Sequence, residues 1–298
     1  MKIFKTYISG KLMLSALIGL GLLSSCEKDG NPNNLPDVNP ADYEGKIDGY
    51  TSSDEIFPRN LVAYWSFDDT KNEVKSNTAP TQTANDSFVD GGVRGKAISL
   101  NGGYLYYATQ LNAFKTDSLK SFTISQWVKI TNNGSKRTMI FQIARPGIFN
   151  GSLDFRLNTQ SFPATTTNTL RMNPRFTSVS GGSQDNLNNT LSPTIGADKW
   201  THLVLKYEPT TGVFNMWADG VNVGSFNNRG TTPGNLFRSY EPSEIIIGGN
   251  YNTIPGKTVS TDVSFANMVG QIDEIRVYNR ALPDAHIRAL YNLGKANK

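Results

Sequence analysis

From Asn60 onward the chain is a succession of short runs rich in apolar, β-branched and aromatic residues, each broken after about a dozen positions or fewer by Gly, Asn, Thr or Pro. Runs this short are poor helices, because a helix needs several turns to present an apolar stripe. A strand puts alternate side chains on one face within a few residues. The expected strands are Leu61 to Phe67, Lys96 to Leu100, Tyr104 to Ala108, Phe122 to Ile130, Thr138 to Ala144, Leu153 to Leu157, Trp200 to Tyr207, Val213 to Ala218, Val221 to Phe226, Glu244 to Gly248 and Val269 to Tyr278. In Leu153 to Leu157 the apolar residues share one face, with Asp154 and Arg156 on the other. Asp219-Gly220 reads as a type I′ hairpin turn, which needs positive φ at both central residues. Pro283 and Asp284 open a helix whose apolar stripe is Ile287, Leu290 and Tyr291. These features predict an all-β fold for residues 59–298: an antiparallel jelly-roll sandwich of two sheets with one short C-terminal helix.

The N-terminus has a different character. Lys2, Lys5 and Lys11 give a positive start, Leu12 to Leu23 are mostly apolar, and Leu23-Ser24-Ser25-Cys26 follows. The apolar run falls short of the roughly 20 residues that cross a bilayer. Its ending resembles the bacterial lipobox. That resemblance implies a signal peptide over residues 1–25, lipid on Cys26 and an outer-membrane lipoprotein. Glu27, Lys28 and Asp29 resemble the export signal of surface-exposed lipoproteins, although a polar linker would also begin this way. Residues 26–58, rich in Asp, Asn, Pro, Gly and Glu, read as a flexible tether.

Cys26 is the only cysteine, so the domain has no disulfide and must hold together by burying apolar area. Of the 29 Lys and Arg residues three lie in the leader, and the remaining 26 face 25 Asp and Glu. A chain so balanced lacks the basic stripe that nucleic acid requires, and no nucleic-acid partner is expected.

Five stations in order then suggest a family: Leu61 to Phe67, Gly95 to Gly102, Phe122 to Lys129 around Trp127, Trp200 to Val204 with Trp217 to Gly220, and Gly270 to Leu282 running into Pro283 to Tyr291. Together they resemble the laminin-G-like, concanavalin A-like jelly-roll domains. The scaffold hosts lectins, adhesion modules and glycanases alike, so the resemblance implies a fold more than an activity. Many members carry calcium near the opening strand, which implies Asp68 and Asp273 as ligands of one structural Ca2+. The match is imperfect there, since Thr70 to Asn77 replaces the usual serine and glycine. By period two, Asp273 shares a face with Ile275 and Val277. An inward carboxylate of that kind must accept backbone amides, pair with an arginine or bind a cation.

Catalytic patterns are missing. The paired carboxylates of retaining glucanases on this fold are not found, and Gln271-Ile272-Asp273-Glu274 comes nearest with a glutamine in the nucleophile position. His202 and His286 lack a nucleophile motif beside them, and His202 reads as a structural strand residue. Sugar recognition instead asks for aromatic faces with Arg and Asn at hydroxyls or uronates. Arg156, Asn158, Arg171, Trp217 and Tyr251 are the expected ligand contacts, several of them bordering the long-loop segment from Ala144 to Lys199. The leading expectation is a non-catalytic carbohydrate-binding domain that captures polysaccharide or oligosaccharide at the cell surface, in an outer-membrane uptake complex. A glycoside hydrolase or lyase with atypical residues and a protein-adhesion module are the alternatives.

Overall fold

The computed structural model describes residues 39–115, 118–132, 136–159, 169–178, 181–184, 191–226 and 237–298. The expected signal peptide, Cys26 and the first part of the tether lie outside these residues. The chain divides at Gly45 into two units. In the described part of the first, a 3-10 turn at Pro40–Asp42 is capped by the Asn39 side chain, which accepts the Ala41 N–H.

The second unit contains β1 (Leu61–Trp65), β2 (Gln82–Asp90), β3 (Lys96–Tyr107), β4 (Phe122–Lys129), β5 (Arg137–Arg145), β6 (Ile148–Leu157) and β7 (Arg175–Ser178). These are followed by β8 (Gly181–Gln184), β9 (Thr201–Glu208), β10 (Val213–Ala218), β11 (Val221–Phe226), β12 (Glu244–Ile247), β13 (Phe265–Ala266), β14 (Met268–Tyr278) and helix α1 (Asp284–Lys295). The strands form one hydrogen-bonded ladder in the order β11-β10-β9-β4-β14-β3-β12-β5-β6-β7-β8, with β1 added to β14, β2 to β3 and β13 to β5. Among the described strands, every pairing is antiparallel except that of β13 with β5. The expected antiparallel sandwich is therefore present as a single curled sheet. Its two ends meet inside the curl, where Phe176 of β7 stacks on Phe214 of β10 at 4.9 Å between ring centroids. Trp65 of β1, on the central β14, meets Phe141 of β5 edge-on at 5.8 Å within the same interior. The inward positions of β4, β9 and β10 and those of β5, β6 and β12 join one buried apolar cluster.

The departures from the sequence reading have local causes. β2 was not expected, because Gln82–Asp90 is an edge strand paired only with β3 and few of its positions are buried. The two strands expected at 96–108 are one bent strand. Asn101-Gly102-Gly103 is a bend, with Gly102 at φ 68° and Gly103 under the backbone of Ala84 and Asn85, where a side chain would overlap their carbonyls. Asp219 (φ 49°) and Gly220 (φ 75°) join β10 to β11, the backbone that the turn chemistry required.

The expected tether also ends early. From Gly45 the chain packs onto the domain, with Ile47, Tyr50, Ile56 and Phe57 entering a second apolar cluster beneath α1. Asp54 fastens this strap, accepting bonds from Arg94 at 2.9 Å and from the Arg276 Nη2 at 2.7 Å. Arg276 is buried and also donates from Nε and Nη2 to Glu274 at 3.0 and 2.6 Å. These apolar residues lack a regular period, so composition alone made the segment look solvated.

Helix α1 covers the outward face of β4, β9 and β10. Tyr291 stacks on Trp127 at 5.8 Å, and His202 lies 4.8 Å from the same indole. Gly294 lets the helix approach, since a methyl group there would overlap the Trp127 ring. Alanine normally favours a helix interior over glycine by about 1 kcal/mol. Here the overlap outweighs that gain, and Gly294→Ala is expected to lower the melting temperature in a thermal scan. His202 is fully buried, its Nε2 is 2.7 Å from the Ser125 Oγ, and burial pushes its pKa down to about 3. The folded state then refuses a proton that the unfolded chain accepts below about pH 6.5, so His202 contributes stability above that pH and loses it on acidification. Chemical denaturation is expected to show stability falling from pH 6.5 to 4.5, with a shallower fall in His202→Gln.

Candidate functional site

The outward face of β5, β6 and β7 differs from the helix-covered one. Period-two alternation sends Leu153, Phe155 and Leu157 of β6 into the core and turns Asp154 and Arg156 outward. The register places Gln142 of β5 opposite Asp154, and Arg175 of β7 opposite Asp154 on its other side. Continuing the row, Gln142 pairs with Ile246 of β12 and Ile246 with Tyr106 of β3. One cross-strand row thus grades from an aromatic, through an aliphatic and an amide, to a carboxylate and a guanidinium.

Loop residues cover the apolar end of this row. Tyr251, Ile254, Tyr104, Tyr106, Ala144 and Ile246 form a third apolar cluster, and the Tyr251 N–H donates to the Gln142 Oε1 at 2.9 Å. The polar end is organised around Asp154. Its Oδ1 accepts from the Gln142 Nε2 at 2.8 Å and the Gly151 N–H at 2.9 Å, and burial raises its pKa. A Cβ at Gly151 would sit 2.7 Å from that oxygen, so glycine is what allows the clamp. Arg156 is buried and donates from Nε to the Asn173 carbonyl at 2.8 Å, and burial pushes its pKa down to about 10 despite Asp154.

The expected ligand residues divide between two regions. Past β6 the chain pairs with residues 171–173, where the Asn158 N–H donates to the Arg171 carbonyl at 2.7 Å and the Asn173 N–H to the Arg156 carbonyl at 2.8 Å. This brings Arg156, Asn158 and Arg171 together. Trp217 and Tyr251 stand elsewhere. Trp217 is buried under α1 with Val204, Leu290 and Leu293, on the other layer of the curl. Tyr251 packs its ring into the third cluster. Both expectations are corrected for the same reason, because an amphipathic helix and a loop had to bury their apolar sides and those aromatics receive them. The sequence reading passed over Arg137, Arg145, Arg175 and Arg238. Arg175 was legible in principle, as an arginine beside the long-loop segment, but its alignment with Asp154 depends on a pairing that sequence does not specify.

The residues expected to hold calcium do not suit the ion. Asp273 falls at a bulge in β14, where Glu274 takes φ 51° and the register with β4 shifts. The bulge separates Asp273 from the inward Ile275 and Val277 and pairs it with the outward Trp127. Its carboxylate accepts the N–H groups of Val93, Arg94 and Glu274 at 2.7, 3.1 and 2.8 Å. Burial and the neighbouring Glu274 push its pKa up to about 8. Asp68 accepts the Lys96 N–H at 2.9 Å. Among the described residues, no three His, Cys, Asp or Glu side chains converge as metal ligands. These two carboxylates serve the backbone.

A family model describing the concanavalin A-like lectin/glucanases superfamily matches residues 101–288, more than half of the chain. The chain belongs to that superfamily. The match runs from the bend in β3 into α1 and includes the whole β5–β6–β7 face. Among solved structures, the binding domain of Paraclostridial mosquitocidal protein 1 gives a TM-score of 0.54 at 19% identity, over 78% of this chain and 52% of its own. Domain 4 of AbnA, a GH43 extracellular arabinanase from Geobacillus stearothermophilus, was solved with arabinotriose. It gives 0.51 at 21% identity, over 78% of this chain and 98% of its own. The ligand-binding domain of botulinum neurotoxin serotype D, solved with N-acetylneuraminic acid, gives 0.51 at 11% identity over 81% and 52%. The concanavalin A-like chain thus spans about half the length of the toxin domains and nearly all of the arabinanase domain. No curated protein matches the sequence.

Proposed function

We propose that this concanavalin A-like domain captures polysaccharide without cleaving it, and that its chain is anchored through lipid on Cys26 at the outer-membrane surface. The observation that carries the glycan reading is the outward row on β5, β6 and β7. Gln142, Asp154 and Arg156 of that row are buried, and the half-buried Arg137, Arg145, Arg171 and Arg175 with the exposed Arg238 surround them. Such groups recognise hydroxyls and uronates. The structural neighbours solved with arabinotriose and N-acetylneuraminic acid support a sugar ligand on this fold.

The non-catalytic reading rests on how the outward carboxylates are placed. Glu244 of β12 pairs with Ala144 while Asp154 pairs with Gln142, so they lie two strands and two residues apart. Strand spacing puts their Cα atoms roughly 12 Å apart. Asp154 is clamped by Gln142 and Gly151, and Glu244 is 3.9 Å from the Lys257 ammonium. Each acid thus has one oxygen engaged by the protein, Asp154 by an amide and a backbone N–H and Glu244 by an ammonium.

Two measurements test the reading. Affinity electrophoresis against a polysaccharide panel is expected to retard the protein on at least one polymer, with no reducing ends released on prolonged incubation. Turnover of any polymer would remove the non-catalytic function. Cys26→Ser is expected to abolish incorporation of labelled palmitate, and label persisting in that variant would remove the anchor.

A further inference from the structure

A groove of about 320 Å³ crosses the outward face of β3, β14 and β4, beyond the part of that layer that α1 covers. Lys129 lies two residues along β4 from the helix-covered Trp127, so both side chains leave the same face. The register sets Gln271 of β14 between Ser99 of β3 and Lys129 of β4, and Val269 opposite Asn101. Gly270 keeps the floor low, since a Cβ there would come 2.6 Å from the Lys129 carbonyl. Trp200 stands at the side, its ring 4.9 Å from the Lys129 Nζ and its Nε1–H donated to the Gly91 carbonyl at 3.1 Å. Asp273 accepts the Val93 and Arg94 N–H groups just after Gly91, so the bulge in β14 fixes the turn that holds the indole.

The polar side chains of this groove are not used by the protein itself. Ser99, Asn101, Thr131 and Gln271 make no side-chain hydrogen bond with any described residue, and Lys129 meets only the Trp200 ring. The Gln271 Oε1 is closed off from solvent without a donor, which leaves its Nε2 as the end for a ligand. Gln142 and Asp154 on the other layer, by contrast, are spent on each other. Val269, 58% exposed, adds apolar surface between the polar groups.

These features select among ligand classes. β3, β14 and β4 are each paired on both sides here, so no backbone edge is open for a peptide strand to join. Among the described residues that line the groove, Lys129 carries the one charge, too little for a phosphate backbone. Hydroxyl and amide groups both give and take hydrogen bonds, as sugar hydroxyls do, while a valine and an indole suit sugar C–H faces. Extending the glycan-capture reading, on which this inference rests, we infer that the groove is a separate sugar-contact site for an uncharged glycan segment. The sugar hydroxyls bond Asn101, Lys129, Thr131 and Gln271, and a C–H face lies on Val269 beside Trp200.

The test runs the detergent-solubilised full chain in affinity gels holding linear arabinan, mixed-linkage β-glucan or polygalacturonate. At least one neutral polymer is expected to retard it, with little change between low and high salt, because hydroxyl contacts are not screened as charge pairs are. Asn101 is exposed and the Lys129 ammonium touches only an indole, so Asn101→Ala and Lys129→Met are expected to leave the melting temperature unchanged. Together they are expected to weaken neutral-polymer binding about tenfold, the loss of a pair of hydrogen bonds. An oligosaccharide cut from the retarding polymer is expected to shift the Asn101 and Gln271 side-chain amide signals in an NMR titration of the unaltered protein. Native affinity in the folded double variant, unshifted amide signals, or retardation by polygalacturonate alone would overturn the groove site and leave glycan capture standing. Retardation by none of the polymers would overturn both.

Discussion

The fold depends on a single apolar surface that closes on itself. Phe176 of β7 stacking on Phe214 of β10 joins strands near opposite ends of one hydrogen-bonded ladder, and Trp65 of β1, paired to the central β14, meets Phe141 of β5 across the same interior. Neither half of the sheet could bury its inward residues alone, and without a disulfide this burial carries the stability of the domain. The bend in β3 at Asn101-Gly102-Gly103 allows the turn, since β3 runs along β14 with one part and along β12 with the next. Once the interior is sealed, both outward faces remain, and the sequence treats them differently.

One outward face is finished as a second core. Helix α1, the strap from Gly45 and the aromatic set of Trp127, His202 and Tyr291 cover β4, β9 and β10 with apolar contacts. The ion network of Asp54, Arg94, Glu274 and Arg276 is set into its margin. The other face is finished only in part. Residues around Tyr251 cover its aliphatic end, while the row through Asp154 and Arg175 stays polar. Arg156 is buried there beside Asp154, with the half-buried Arg137, Arg145 and Arg175 around it, and burying a guanidinium costs stability that its neighbouring carboxylate offsets only in part.

Much of this was legible in the sequence, and the exceptions share a cause. The strands with clean alternation, the Asp219-Gly220 turn and the C-terminal helix all follow from local periodicity and turn chemistry, which act within a few residues. Arg156 and Arg171 were singled out for their place beside the long-loop segment, and backbone pairing of residues 156–158 with 171–173 brings them together. What failed depended on distant neighbours. Gln82–Asp90 becomes a strand because β3 offers it an edge, and Asp273 turns outward because the Glu274 bulge moves the register by one. Trp217 and Tyr251 resemble ligand-stacking aromatics until the helix and the loop that cover them are in place. Residues 45–58 look solvated until Arg94 and Arg276 supply the partners of Asp54.

The strap has a directional consequence. It joins the domain on the helix-covered layer, where Lys298 donates to the Gly45 carbonyl and Asn292 to Asp48 at 2.8 Å. The arginine-bearing strands lie on the reverse side of the curl. A pull on Gly45 is therefore carried into the domain through α1 and the ion network of Asp54, and the arginine-bearing strands lie outside that path.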